Sequence, residues 1–177
     1  MTTGLQLRKL VVIFIVERPI EMRLRSLPDY DPLTEIMLVV FQLNGRLLEK
    51  GDQMVAPLGL SSARWQVLGA IALAAKPMTI PQIAEMMGIT RQGALKQLNR
   101  LEEDDFVEQM KNPRHERSPL YTLTRKGAQA YAQAEKLQAA WAASLAEPLS
   151  TDDLHAALRT LRALYDRLDL PVPEKGP

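Results

Sequence analysis

Apolar residues from Asp31 onward recur at threes and fours, the spacing of helices that bury one face. Leu33, Ile36, Met37, Val40, Leu43, Leu47 and Leu48 share such a face through about residue 50. Pro57, Gly59 and Ser61 break the pattern. Ser61 then caps a second predicted helix, striped by Trp65, Leu68, Ile71, Ala72 and Ala75 and ended by Pro77. Two shorter helices follow. Thr79 and Gln82 have capping-box spacing, Ile83, Ala84 and Met87 have core spacing, and Gly88 closes the first. Thr90 caps the second, from Arg91 to about Asp104. Phe106–Glu108 and Leu120–Leu123 read as strands on either side of a loop marked by Asn112-Pro113 and Ser118-Pro119. Thr124 caps a long Ala-rich helix to about Glu147, with Tyr131, Ala134, Leu137, Trp141 and Leu145 on one side. After Pro148, Ser150 and Asp153 open a last helix whose apolar positions are Leu154, Leu158, Leu161, Tyr165 and Leu168.

A short helix, a glycine turn, a second helix and a two-stranded loop follow the order of a winged helix-turn-helix. The predicted fold class is mainly α, with a two-stranded β wing. Residues 60–123 form the expected DNA-binding domain. Residues 31–58 and 124–170, which hold the first and last helices, form a helical dimerisation region. Residues 1–30 are an N-terminal extension and 171–177 a tail expected to be disordered. The extension holds the apolar run Leu10–Val16. Seven residues are far short of the roughly 20 a membrane helix needs, and no small-residue cleavage site follows. A strand, an arm, disorder, or sequence upstream of a true start at Met22 are the alternatives, and no function is assigned to it.

Composition narrows the chemistry. Of 177 residues, 46% are hydrophobic but only 5% aromatic, which favours helix over sheet. The chain has no cysteine and two histidines, His115 and His155. That excludes thiol chemistry and disulfides, and leaves a zinc site without a local ligand pair. No Gly-rich phosphate loop, Ser-His-Asp set or positioned carboxylate pair is present, so we expect neither an enzyme nor a cofactor.

The formal charge of +1 becomes informative only when divided along the chain. Residues 88–127 carry eight Lys or Arg and six acids, four of the acids in the single run Glu102–Asp105. Residues 128–177 carry five basic and seven acidic residues. Positive potential is therefore expected on the second short helix and the wing. At 100° per residue, with Ala94, Leu98 and Leu101 inward, that helix turns Gln92, Lys96, Asn99, Arg100 and Glu103 outward. Gln and Asn pair with adenine edges, while Lys and Arg suit guanine or phosphate. Thr90 and Arg91 lie in the first turn, where base edges and phosphates are met. The acidic run is expected at the end that leaves the DNA. A solvated polar face of this kind is common on any helix. It gains specificity here from the basic hairpin that follows.

Ile83 to Glu102, Asn112-Pro-Arg-His-Glu-Arg117 and Leu123-Thr-Arg-Lys-Gly127 together resemble the MarR family of bacterial transcription regulators, with similarity from about Asp31 to Leu168. The resemblance implies a dimeric winged-helix repressor, often released by a small aromatic ligand. It also implies a wing of the form Asp-Pro-x-Asp-x-Arg, whose final Arg enters a minor groove, braced by the second Asp. Pro113 and Arg117 match. Asn112 and His115 replace the two Asp residues, so the brace is missing. Arg114 is a second candidate for the groove. His115, as a wing-tip histidine, is more often a solvated residue than a pH switch.

Leu154, Leu161 and Leu168 repeat at sevens, as a helix-pairing seam does. A twofold dimer would set two reading helices about 34 Å apart on a palindromic operator. Trp65, beside the cleft where the family usually holds its ligand, is the candidate effector residue, although core packing is the better explanation for it. The expected partners are double-stranded DNA, a second copy of the chain and a small aromatic effector, with no membrane. The expected location is the cytoplasm, at the nucleoid. The competing reading is a winged-helix module that binds protein and not DNA.

Overall fold

A computed structural model describes residues 31–168, so the 1–30 extension and the 171–177 tail lie outside the described residues. Helix α1 spans Pro32–Val55 and runs into one turn of 3-10 helix, Ala56–Leu58. Then come α2 (Ser62–Ala74), α3 (Ile80–Met87), α4 (Arg91–Glu103), β1 (Val107–Met110), β2 (Leu120–Leu123), α5 (Arg125–Ala146) and α6 (Thr151–Arg167). The chain divides into two compact units at Gly51/Asp52, within α1. In the first unit, α1 leaves Leu33, Met37, Leu43 and Leu47 exposed.

The second unit is built on α2, which packs against α3, α4, α5 and β2. Contact on several sides is why Val67 through Ile71 are all buried, a wider apolar surface than the stripe read from the sequence. Two boundaries differ from those expected here. Helix α1 runs five residues past position 50, because Met54 and Val55 extend its apolar spacing by another turn and Val55 is fully buried. Helix α2 ends at Ala74, three residues before Pro77. Pro77 disfavours helical geometry at Lys76, and Met78 must be extended to exchange two backbone hydrogen bonds with Tyr121, at 3.0 and 2.8 Å.

Helix starts follow the expected caps. Ser61, Thr90, Thr124 and Ser150 accept from the backbone N–H three residues on. Gln82 Oε1 accepts from the Thr79 N–H at 2.9 Å. Each such cap satisfies an N–H that helix geometry leaves unpaired. Asp52 supplies a further contact, its carboxylate accepting from the Ser62 N–H at 2.6 Å. Gly88 ends α3 at φ 62°. That left-handed conformation is the one glycine adopts without Cβ strain, and it redirects the chain into α4.

Strands β1 and β2 pair antiparallel, with Val107 opposite Leu123 and Met110 opposite Leu120. The first strand lies later than Phe106–Glu108. Phe106 is instead a buried anchor, whose N–H closes α4 on Leu101 O at 2.7 Å and whose carbonyl accepts from Thr124 N–H at 3.1 Å. Gly127 packs so tightly on that carbonyl that an added Cβ would lie 1.9 Å from Phe106 O. The Leu-Thr-x-x-Gly segment thus has a steric reason for its glycine.

Candidate nucleic-acid interface

Ala94, Leu98 and Leu101 are fully buried, which holds α4 on the core and fixes its rotation. The opposite face carries Arg91, Gln92, Lys96, Asn99 and Arg100, all exposed. A shallow depression runs along it, lined by Gln92, Leu95, Lys96, Asn99, Arg100 and Glu103. The helical-wheel assignment therefore matches the observed face. The cap before this face and one of its members are already engaged. Thr90 Oγ1 accepts from Gly93 N–H at 3.0 Å, which leaves its hydroxyl proton to donate. Arg100 pairs with Glu103 at 3.0 Å, so part of its charge is answered within the helix.

The wing tip is two successive turns. His115 N–H donates to Asn112 O at 3.2 Å, closing Asn112-Pro-Arg-His115. Ser118 N–H donates to His115 O at 3.0 Å, closing His115-Glu-Arg-Ser118. Pro113 occupies the position where a fixed φ favours such a turn. Arg114 and Arg117 take the same third position of the two turns and are both exposed. Among the described residues neither enters an ion pair. The wing thus presents two guanidinium groups from adjacent turns without the Asp brace.

Contacts the sequence did not reveal hold this surface in place. The acidic run is a structural hub as well as the end of α4. Asp104 pairs with Arg64 of α2 at 2.6 Å, and its carbonyl accepts from Lys126 Nζ at 2.6 Å. Glu102 accepts from Gln109 of β1 at 3.0 Å, and Asp105 O accepts from Thr124 Oγ1 at 2.7 Å. The Lys126 ammonium also lies 4.5 Å from the Phe106 ring centre, within cation–π range. Tyr121 is buried at the base of the wing. Burial, and then the nearby Glu102 charge, push its hydroxyl above the ordinary range, so it stays neutral. In the wing, the Asn112 side chain accepts from Arg114 N–H at 3.0 Å and donates to Ser118 O at 2.8 Å.

Trp65 lies half-buried against the core, and the concavities along α4 and beside the wing do not include it. Among the described residues no cluster of three or more His, Asp or Glu could hold a metal ion. No described helix is long and apolar enough to cross a membrane.

The model of the MarR family matches residues 58–118, from the turn before α2 through the wing tip. Over that segment the chain is similar to the MarR family. A Mycobacterium tuberculosis protein is 36% identical over 97 residues, a match covering 55% of this chain and 66% of that relative, just short of two thirds. The transcriptional activatory protein BadR of Rhodopseudomonas palustris is 30% identical over 90 residues, covering 50% of this chain and 51% of BadR. Among solved structures, the transcriptional repressor CouR bound to a 23-mer DNA duplex is 29% identical, with a TM-score of 0.66 over 79% of this chain and 99% of that one.

Proposed function

We propose that this chain is a MarR-family transcription regulator, a homodimer that binds a palindromic site on double-stranded DNA and acts as a repressor released by a small organic ligand. The observation that carries the DNA-binding reading is the pairing of one exposed polar helix face with a two-arginine wing on one rigid core. In this reading Gln92 and Asn99 read base edges, with Lys96 and Arg100 beside them. Thr90 and Arg91 hold phosphate at the start of α4, and Arg114 and Arg117 enter the flanking minor groove. CouR, a repressor of this fold bound to a 23-mer DNA duplex, supports duplex DNA as the partner.

Dimerisation is supported by α6. Leu154, Leu158 and Leu161 are 40–45% exposed in the single chain, and no residue of that helix is buried. A leucine stripe of this kind is covered most simply by a twofold copy. The region proposed to dimerise comprises 31–58 and 124–170, with the reading domain at 60–123. For release, the absence of cysteine removes thiol oxidation as a signal. A non-covalent aromatic acid near Trp65 is the effector class we favour. Work on chromosomal DNA implies a cytoplasmic, nucleoid-associated location.

The test is selection of duplexes from a random pool at low salt by the purified chain. Recovery of one inverted-repeat motif supports the proposal. Recovery of no duplex would favour a module that binds protein. The sign of regulation is read separately with a promoter reporter, since CouR is a transcriptional repressor and BadR a transcriptional activatory protein.

A further inference from the structure

Asn112 is the one described side chain seen to bridge both turns of the wing tip. Its Oδ1 accepts from Arg114 N–H at 3.0 Å, inside the first turn. Its Nδ2 donates to Ser118 O at 2.8 Å, at the far end of the second. The residue is half-buried, and it borders both wing concavities, which lie on either side of Pro113. Backbone bonds close each turn separately. Without the Asn112 amide, no hydrogen bond seen here ties the first turn to the end of the second.

The chemistry of the site requires an amide. A carboxylate accepts from Arg114 N–H equally well, but it has no proton for Ser118 O and would face that carbonyl with like partial charge. An aspartate would also lower the charge of a tip that carries Lys111, Arg114 and Arg117 against Glu116. We infer that Asn112 is a positioning residue for DNA binding, which fixes Arg114 and Arg117 relative to each other through an amide clamp where the Asp–Arg brace is absent. The inference rests on the proposed DNA-binding function. It makes Asn112 act through the two arginines and not through a DNA contact of its own.

A double-mutant cycle on duplexes selected by the wild-type chain tests it. Asn112→Ala should weaken binding about three- to tenfold, the range of one or two lost hydrogen bonds. Because no cation is removed, the slope of log affinity against log salt should not change. In a background already carrying Arg114→Ala and Arg117→Ala, the same substitution should cost nothing further. Hydrogen exchange should rise at the His115 and Ser118 amides in both Asn112→Ala and Asn112→Asp, while the amides of α4 keep their protection. An equal loss of affinity with and without the two arginines would overturn the inference, as would unchanged exchange at the tip. If the wild-type chain selects no duplex at all, the DNA-binding reading itself fails, an outcome the first step of the cycle separates from the others.

Discussion

Helices α4 and α6 carry similar amphipathic patterns and meet opposite fates. In α4, Ala94, Leu98 and Leu101 are fully buried within the chain, and the polar side is left as a working surface. In α6, Leu154, Leu158 and Leu161 recur at the same threes and fours, yet 40–45% of each remains exposed. Periodicity reports that a helix has an apolar face to cover. It does not report which chain covers it. We propose from this contrast that α4 reads and α6 assembles, and each part of the proposal can be attacked separately.

The largest expected effect falls on the anchor that α4 depends on. Gly127→Ala drives a Cβ into the Phe106 carbonyl that joins the end of α4 to the start of α5. Backbone cannot yield as a side-chain tip can, so we expect a loss of about 3 kcal/mol in urea unfolding, with the wing and α4 loosened together. A variant as stable as wild type would show that this junction is softer than the packing indicates.

Next is the assembly side. Leu158→Asp with Leu161→Asp should convert the proposed dimer to a monomer in sedimentation velocity, while the unfolding transition of the winged core persists. A variant that stays dimeric would remove α6 from the interface. On the reading side, Gln92→Ala should relax base preference in a duplex selection and leave nonspecific affinity nearly unchanged, since one bidentate base contact discriminates by about 1–3 kcal/mol. Recovery of the same motif by both proteins would deny Gln92 its role. The smallest effect is expected from Arg64→Ala. It removes a half-exposed ion pair with Asp104 that joins positions 40 apart in sequence. Discounted for solvent screening, the loss should be under about 1 kcal/mol by thermal melting.

What could be read from the sequence was mostly local. Thr79, Thr90, Thr124 and Ser150 act on atoms three residues away, so their spacing alone marked four helix starts. Gly88 needed only its own backbone conformation. The outward face of α4 was legible because three buried positions define the rotation of a helix. Contacts formed by folding were not legible. Asp104 meets Arg64, Asp52 meets Ser62, and Gly127 meets Phe106 across loops that carry no short-range signal. Asn112 stood out only as a departure from the family's wing. Its compensating bond to Ser118 appeared once the two turns were seen side by side.

The central claim is that the basic tip and the α4 face together hold a duplex. Fluorescence anisotropy of the wild-type chain and of Arg117→Ala, each titrated onto one selected duplex at several salt concentrations, tests it most directly. Wild type should show steep salt dependence, and Arg117→Ala weaker binding with the slope reduced by about 1, one phosphate-neutralising contact fewer. Equal affinity and equal slope for the two proteins would contradict it.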